Sequence, residues 1–238
     1  MPSDPPHRRI RSFVVRAGRL TAGQARALEA LWPRYGIDFD VRAINPAAPP
    51  APLNLNAIFG RAAPVTIEIG FGTGENLVAL AAANPGRDYL GIEVHRPGVG
   101  RVLLMVQEAG LSNVRAICDD AAEVLRYGIA RGALDELLVL FPDPWHKARH
   151  NKRRLIQSEF VRLVSERLRA GGCIRLATDW EPYALQMLEV LGTEPSLRNL
   201  GSEAGYVPRP AWRTATRFER RGERLGLGVW DLGFERRA

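Results

Sequence analysis

The sequence predicts an α/β fold in which helices cover both faces of a mostly parallel β-sheet. From Val65 onward, short apolar runs typical of buried strands alternate with stretches whose apolar residues repeat at helical spacing. A loop with three glycines, Gly70, Gly72 and Gly74, joins the first of these strands to the first of these helices. Such alternation favours parallel strands joined by helices, with ligands bound beyond the carboxyl ends of the strands.

The composition indicates a globular chain with an acidic partner. The 238 residues are 46% hydrophobic and 25% charged, with a net charge of +7. That excess of positive charge favours nucleic acid as a partner. No apolar run reaches the length of a membrane span, and no secretory signal is apparent at the N-terminus. Both cysteines lie in apolar runs and are expected to be reduced, so we expect a cytoplasmic protein without membrane contact.

Residues 1–53 are expected to form a basic extension that contains one helix and a proline-rich connector. Its first part carries five arginines against the single acid Asp4: Arg8, Arg9, Arg11, Arg16 and Arg19. Thr21 and Gln24 have the spacing of a capping box, and Pro33 is expected to end the helix that follows. The connector "AINPAAPPAPLN" then leads into a second domain, residues 54–238.

In that domain strands and helices are expected in strict alternation. The expected strands are 65–71, 88–94, 113–118, 134–141 and 173–178. The expected helices are 75–84, a helix opened by Pro97 and ended by Gly110, a short helix from Ala121, 155–168 with Gly171 as its stop, and 181–191. The stretch 217–236 has the pattern of two strands joined by a glycine-containing turn, which predicts an antiparallel hairpin at the C-terminus.

The glycine loop differs from the loop that binds dinucleotides. Its spacing is G-x-G-x-G, and Glu75 occupies the position where a dinucleotide loop has its third glycine. Glu68 precedes the loop by two residues. A pyrophosphate would therefore meet two carboxylates, which disfavours a nicotinamide oxidoreductase and favours a cationic ligand.

Acidic residues follow or end all five of these strands. Beside Glu68 they are Glu93, Asp119, Asp120, Asp143 and Asp179. Asp120 and Asp179 could instead cap the helices that follow them. An acidic crevice beside a basic surface suits a cationic cofactor and a polyanionic substrate, and S-adenosyl-L-methionine carries the required positive charges.

The segment "FPDPWHKARHNKRR" combines a fixed acid with a basic strip. Pro142 and Pro144 restrict their own φ angles and bias the residues before them towards extended shapes, which predicts a preorganised Asp143. The strip runs from Lys147 to Arg154, and its last three cations are expected near the first turn of the next helix, where the helix dipole disfavours them. Their presence there favours contact with a polyanion over a solvated face. His146 and His150 lack a third ligand, so no metal is expected.

These segments together resemble the bacterial tRNA (guanine-N7)-methyltransferase family. The matching motifs are "EIGFGTGE", "GIEVHRPGVG", "FPDPWHKARHNKRR", "ATDW" and "TRFERRG", in this order. The resemblance implies a class I methyltransferase fold, Rossmann-like, with six parallel strands and one antiparallel strand. It also implies methyl transfer from S-adenosyl-L-methionine to N7 of a guanine in the variable loop of tRNA.

The resemblance further implies a set of site residues. Asp143 would be the catalytic residue. The donor would be bound by Glu68, Gly70, Gly72, Gly74, Glu93, Asp120 and Asp143, with Asp119 as the alternative to Asp120. The tRNA would be bound by Lys147, Arg153, Arg154, Asp179, Thr216, Arg217, Phe218 and Glu219, and "RIRSFVVRAGRL" would fold over it.

Two other functions remain compatible with the residues. One is a methyltransferase that acts on another RNA or on an amino group, because acids flanked by prolines also occur where exocyclic amines are methylated. The other is a noncatalytic tRNA-binding module, which the intact acids at every strand end argue against.

Overall fold

The structure, a computed structural model, describes residues 12–13, 18–213 and 228–238. Within them the chain forms one seven-stranded sheet in the order β3-β2-β1-β4-β5-β7-β6. The strands are β1 (Val65–Ile69), β2 (Asp88–Ile92), β3 (Val114–Ile117), β4 (Leu134–Leu140), β5 (Leu168–Thr178), β6 (Leu197–Asn199) and β7 (Trp230–Arg236). Neighbours among β1 to β5 are parallel, and β7 is antiparallel to both β5 and β6. The predicted α/β class with antiparallel strands at the C-terminal end is confirmed.

Helices cover both faces of the sheet. They are α1 (Ala22–Ala30), α2 (Trp32–Tyr35), α3 (Leu55–Phe59), α4 (Glu75–Ala83), α5 (Arg96–Glu108), α6 (Ala121–Gly128), α7 (Ser158–Arg167) and α8 (Glu181–Gly192). One apolar core joins the sheet to α6, α7 and α8, and a second joins it to α1, α4 and α5. Because both faces are covered, all five residues of β1 are buried, as expected for a central parallel strand.

The capping box at the start of α1 is confirmed. The Thr21 hydroxyl accepts a hydrogen bond from the Gln24 amide, and the Gln24 side chain accepts one from the Thr21 amide, at 3.2 and 2.9 Å. Pro33 does not act as the expected terminator, because α1 already ends at Ala30 and Pro33 lies in the first turn of α2. A proline is tolerated there because the first amides of a helix have no partner within it.

The described residues of the N-terminal extension are packed onto the sheet. The Ile37 amide donates to the Ala116 carbonyl at 2.9 Å, and the Leu53 amide donates to the Gly128 carbonyl at 2.9 Å. Arg8, Arg9, Arg11 and Arg16 lie outside the described residues, and the domain boundary between residues 53 and 54 stays a prediction.

The basic strip does not reach the first turn of an α-helix. Residues Ala148–Arg153 form a 3₁₀ helix, and α7 begins only at Ser158. The first turn of α7 contains Glu159, so its dipole faces an acid rather than the three cations. The argument from the helix dipole was therefore wrong. The chain also passes directly from α7 into β5, so Gly171 lies in a strand and does not stop the helix.

The C-terminal strand pairs differently from the expected hairpin. β7 has β5 on one side and β6 on the other, and β6 was not predicted because it is short and polar. The other arm of the expected hairpin, up to residue 227, lies outside the described residues. No helix within the described ranges is long and apolar enough to span a membrane.

Candidate active site

The carboxyl ends of β1 to β5 form one edge of the sheet, and the glycine loop lies on it. Gly70, Gly72 and Gly74 have φ angles of 68, 59 and 84°, the left-handed region that favours glycine. The loop also lies close to the start of α5, because a Cβ on Gly98 would lie 2.2 Å from the carbonyl oxygen of Gly72. The backbone is therefore open to a ligand on one side and closed against a helix on the other.

Glu93 fastens this loop to the end of β2. Its Oε2 accepts a hydrogen bond from the Gly72 amide at 3.0 Å. Its Oε1 accepts from the amides of Val94 and His95 at 2.7 and 2.9 Å. These three backbone donors fix the orientation of the carboxylate at the end of β2.

Glu68 is almost fully buried within β1. Its Oε2 accepts a hydrogen bond from the Asn76 amide group in the first turn of α4, at 3.0 Å. Burial raises the pKa of Glu68 to about 7, and the bond from Asn76 opposes that rise. The side chain therefore joins the strand before the glycine loop to the helix after it, and it is poised to change charge near neutral pH.

Asp119 and Asp120 have different structural partners. Asp120 caps α6, because its Oδ1 accepts from the Ala122 amide at 3.0 Å, which confirms the capping alternative at this position. Burial raises the pKa of Asp120. Asp119 accepts from the Val41 amide at 3.2 Å and thereby fixes the N-terminal extension. Both acids line the same cavity, so the choice between them as a donor ligand stays a prediction.

That cavity has a volume of about 1020 Å³ and is lined by residues of both charges. Asp119 and Asp120 line it, and so do Lys152, Arg153 and Arg154 of the basic strip. Ser12 and Phe13 also line it, so part of the N-terminal segment borders the crevice.

Asp143 lies on a backbone loop with two unusual residues. Phe141 and Trp145 have φ angles of 52 and 46°, a region that bulky residues rarely adopt. Phe141 precedes Pro142 and was expected to be extended, so that expectation was wrong. Asp143 itself is exposed, and its Oδ1 accepts from the Trp145 amide at 3.0 Å. The acid is thus fixed by local geometry while one oxygen still faces solvent.

The residues of the basic strip differ in exposure. Lys147 and Lys152 are exposed, and the Arg153 guanidinium lies 5.0 Å from the centre of the Trp145 ring. Arg154 departs from the expected phosphate contact, because only 4% of it is exposed and its donors bond to protein oxygens. The sequence, with five cations in eight residues, does not indicate that one of these cations is buried.

The two histidines of the strip contact different aromatic rings. His146 is edge-on to Trp180 at 4.6 Å, and His150 is edge-on to Trp145 at 5.8 Å. Among the residues that the structure describes, no group of three or more His, Cys, Asp or Glu side chains is arranged to bind a metal.

Of the remaining predicted substrate residues, the structure describes only Asp179. Asp179 follows β5 and is half-buried, but the N-cap position of α8 belongs to Trp180, so the capping alternative does not apply to Asp179. Thr216, Arg217, Phe218 and Glu219 lie outside the described residues.

Sequence analysis missed an ion pair that flanks this segment. The guanidinium of Arg213 pairs with both carboxylate oxygens of Asp231 and lies 5.3 Å from the Phe141 ring. Both charged residues are buried. An acid in the apolar strand "VWDLGF" is the sequence signal that could have indicated this buried pair.

Comparisons with known proteins show which family the chain belongs to. A family described as "Putative methyltransferase" matches residues 62–232. The tRNA (guanine-N(7)-)-methyltransferase of Sodalis glossinidius is 56% identical over 227 residues, which cover 95% of this chain and 91% of that protein. The enzyme of that name from Alcanivorax borkumensis is 50% identical over 231 residues, 97% and 93% of the two chains.

Among solved structures, the 16S rRNA methyltransferase KamB has a similar fold. The TM-score is 0.56 at 17% identity, and the match covers 82% of this chain and 95% of that one. At such low identity the match supports the fold alone.

Proposed function

The chain belongs to the tRNA (guanine-N7)-methyltransferase family, and from this premise we propose that it methylates N7 of a guanine in the variable loop of tRNA. The methyl donor is S-adenosyl-L-methionine, and the reaction takes place in the cytoplasm, where the tRNA is. The observation that supports this most directly is that Asp143 is exposed in the loop that follows β4 and leads into the basic strip.

The acids at the strand ends suit the positive charges of the donor. Glu93 would accept hydrogen bonds from the ribose hydroxyls, and Asp119 or Asp120 would face the adenine. The glycine loop and Glu68 would face the methionine part, where a carboxylate attracts the ammonium group. A cationic donor would then favour the charged form of Glu68. The sulfonium would point towards Asp143, at the end of β4.

The chemistry needs no base at the reacting atom. N7 of guanine has an in-plane lone pair and no proton. It attacks the methyl carbon, the carbon–sulfur bond breaks, and its electron pair stays on sulfur. Positive charge thereby moves from the sulfonium to the purine. The protein's contribution is to align the three atoms and to stabilise the charge that develops on the purine. The Asp143 carboxylate can stabilise this positive charge directly, or it can accept a hydrogen bond from the guanine N–H edge.

The tRNA backbone would be bound by the exposed part of the strip. Lys147 and Arg153 would contact phosphates, which gives affinity more than sequence choice. Asp179 and the segment Thr216–Glu219 would contact the nucleoside.

The test is to incubate the protein with labelled S-adenosyl-L-methionine and unmodified tRNA and to identify the methylated nucleoside. We expect 7-methylguanosine. An exocyclic N-methylated base would favour the alternative of amino-group methylation, and tRNA binding without any methylated product would favour a noncatalytic module.

A further inference from the structure

Arg154 is a buried cation whose partners among the described residues are all neutral. Its Nε donates to the carbonyl of Pro144 at 2.8 Å, and its Nη1 donates to Oε1 of Gln186. The guanidinium lies over the ring of Tyr183, 4.8 Å from its centre. Burying a cation without a carboxylate is costly, so these contacts must offset a considerable loss of hydration.

The side chains around Arg154 form a rigid support on α8. Tyr183 is fully buried, and its hydroxyl accepts from the Ile156 amide at 3.1 Å. Gln186 donates to the Ile156 carbonyl at 3.1 Å while it accepts from Arg154. Contacts with α8 therefore fix the guanidinium, and its Nε is directed at the carbonyl of Pro144.

The loop that receives this hydrogen bond is strained. Phe141 and Trp145, with their positive φ angles, lie on either side of the Pro142–Asp143–Pro144 segment. A bulky residue in this conformation is strained, and the conformation persists only when the surrounding structure imposes it. Pro144 follows Asp143 directly, so the Arg154 bond acts on the peptide unit next to the acid.

We propose that Arg154 positions Asp143 for methyl transfer by fixing the Pro144 carbonyl, and that it does not bind tRNA phosphate. This inference rests on the proposed catalytic role of Asp143. It separates two adjacent arginines by function. Both line the cavity, but the Arg153 guanidinium lies over the Trp145 ring while the Arg154 guanidinium donates hydrogen bonds to protein oxygens.

The experiment compares Arg154→Lys, Arg154→Gln and Gln186→Met with the matched control Arg153→Gln and with Asp143→Asn. Lysine keeps the charge that a phosphate needs but lacks the planar fork that reaches Pro144 and Gln186 together. Gln186→Met removes the anchor of Arg154 without touching any cation. The measurements are the single-turnover rate at saturating donor and tRNA, tRNA affinity against salt concentration, and the melting temperature.

For both Arg154 variants we expect the rate at saturation to fall about 10- to 100-fold, the order expected for a misplaced catalytic group. Gln186→Met should reproduce part of that loss. Affinity for tRNA and its salt slope should stay at the wild-type values in all three. Arg153→Gln should weaken tRNA binding and lower the salt slope by roughly 0.7 to 0.9.

A wild-type rate in Arg154→Lys would overturn the inference, and so would a salt slope in Arg154→Gln reduced as in Arg153→Gln. A lower melting temperature with an unchanged rate at saturation would reduce Arg154 to a purely structural role and overturn it too. A wild-type rate in Asp143→Asn would remove the catalytic role of Asp143 itself. A slow Asp143→Asn beside normal Arg154 variants would overturn the positioning role alone.

Discussion

Glu68 shows how one buried carboxylate couples stability to pH. Its pKa is raised by burial from 4.5 to about 7, so between these values the folded protein binds a proton that the unfolded chain has lost. The stabilisation from the neutral form is complete below pH 4.5 and is lost as pH rises through about 7.

Replacing Glu68 by Gln should therefore stabilise the donor-free protein at pH 8 relative to wild type, by on the order of 3 kcal/mol at most, and change little at pH 4.5. The glutamine carbonyl can still accept the bond from Asn76. Urea unfolding of both proteins across this pH range measures the difference. A stability difference independent of pH would show that the folded-state pKa is not raised.

Removing one partner of the ion pair between Arg213 and Asp231 is predicted to destabilise the fold. Both side chains are buried, so Arg213→Met removes the cation that pairs with both oxygens of a buried carboxylate and should lower the free energy of unfolding by about 3–5 kcal/mol. The double variant Arg213→Met with Asp231→Leu should be more stable than Arg213→Met alone. Urea unfolding measures both, with the exposed pair Arg42–Asp40 as the control whose loss has little effect. Equal stability of the single and double variants would contradict the pairing.

At the scale of elements, the sequence predicts the parts of the fold whose signals are local. The apolar runs of β1 to β5 and the capping box of α1 depend on neighbouring residues and were found. The short elements α2, α3 and β6 are below the length at which a period can be recognised.

The sequence predicted less of the candidate site, because its geometry depends on distant contacts. Phe141, whose φ angle is positive, donates a backbone hydrogen bond to the Ala177 carbonyl and has the Arg213 side chain over its ring. The burial of Arg154 depends on acceptors supplied by α8. The sequence could indicate acids at the strand ends, but it could not indicate which cation in a basic run faces inward.

The start of α6 offers a way to separate capping from donor binding at Asp120. Asp120→Ser keeps an oxygen that can accept from the Ala122 amide, whereas Asp120→Ala removes the cap and should cost about 1 kcal/mol of stability. If Asp120 also contacts the donor, both variants should bind S-adenosylhomocysteine more weakly than wild type. Calorimetry and urea unfolding measure the two effects. Wild-type affinity in Asp120→Ser would leave Asp120 a cap only and point to Asp119.

At the scale of the whole molecule, the donor crevice connects elements that are distant in the chain. The glycine loop, Glu93 and the β3 acids come from separate strand–helix units, and Asp119 also binds the N-terminal extension through Val41. The unfolded chain cannot present these groups together, so a ligand that binds all of them binds only the folded protein.

S-adenosylhomocysteine should therefore raise the melting temperature. At 100 times its dissociation constant the gain is about 2.7 kcal/mol, which for a chain of this size corresponds to roughly 5–11 °C. Glu93→Ala removes the carboxylate that orders the glycine loop, so a tenfold loss of affinity at the same ligand concentration should lower the gain from about 2.7 to about 1.4 kcal/mol. Differential scanning calorimetry with and without ligand measures both shifts, and Glu189→Ala on exposed α8 surface is the control that should respond like wild type. If Glu93 contacts the ligand or orders the loop that contacts it, removing its carboxylate must lower the affinity. An equal ligand-induced shift in wild type and Glu93→Ala would therefore place the donor away from Glu93.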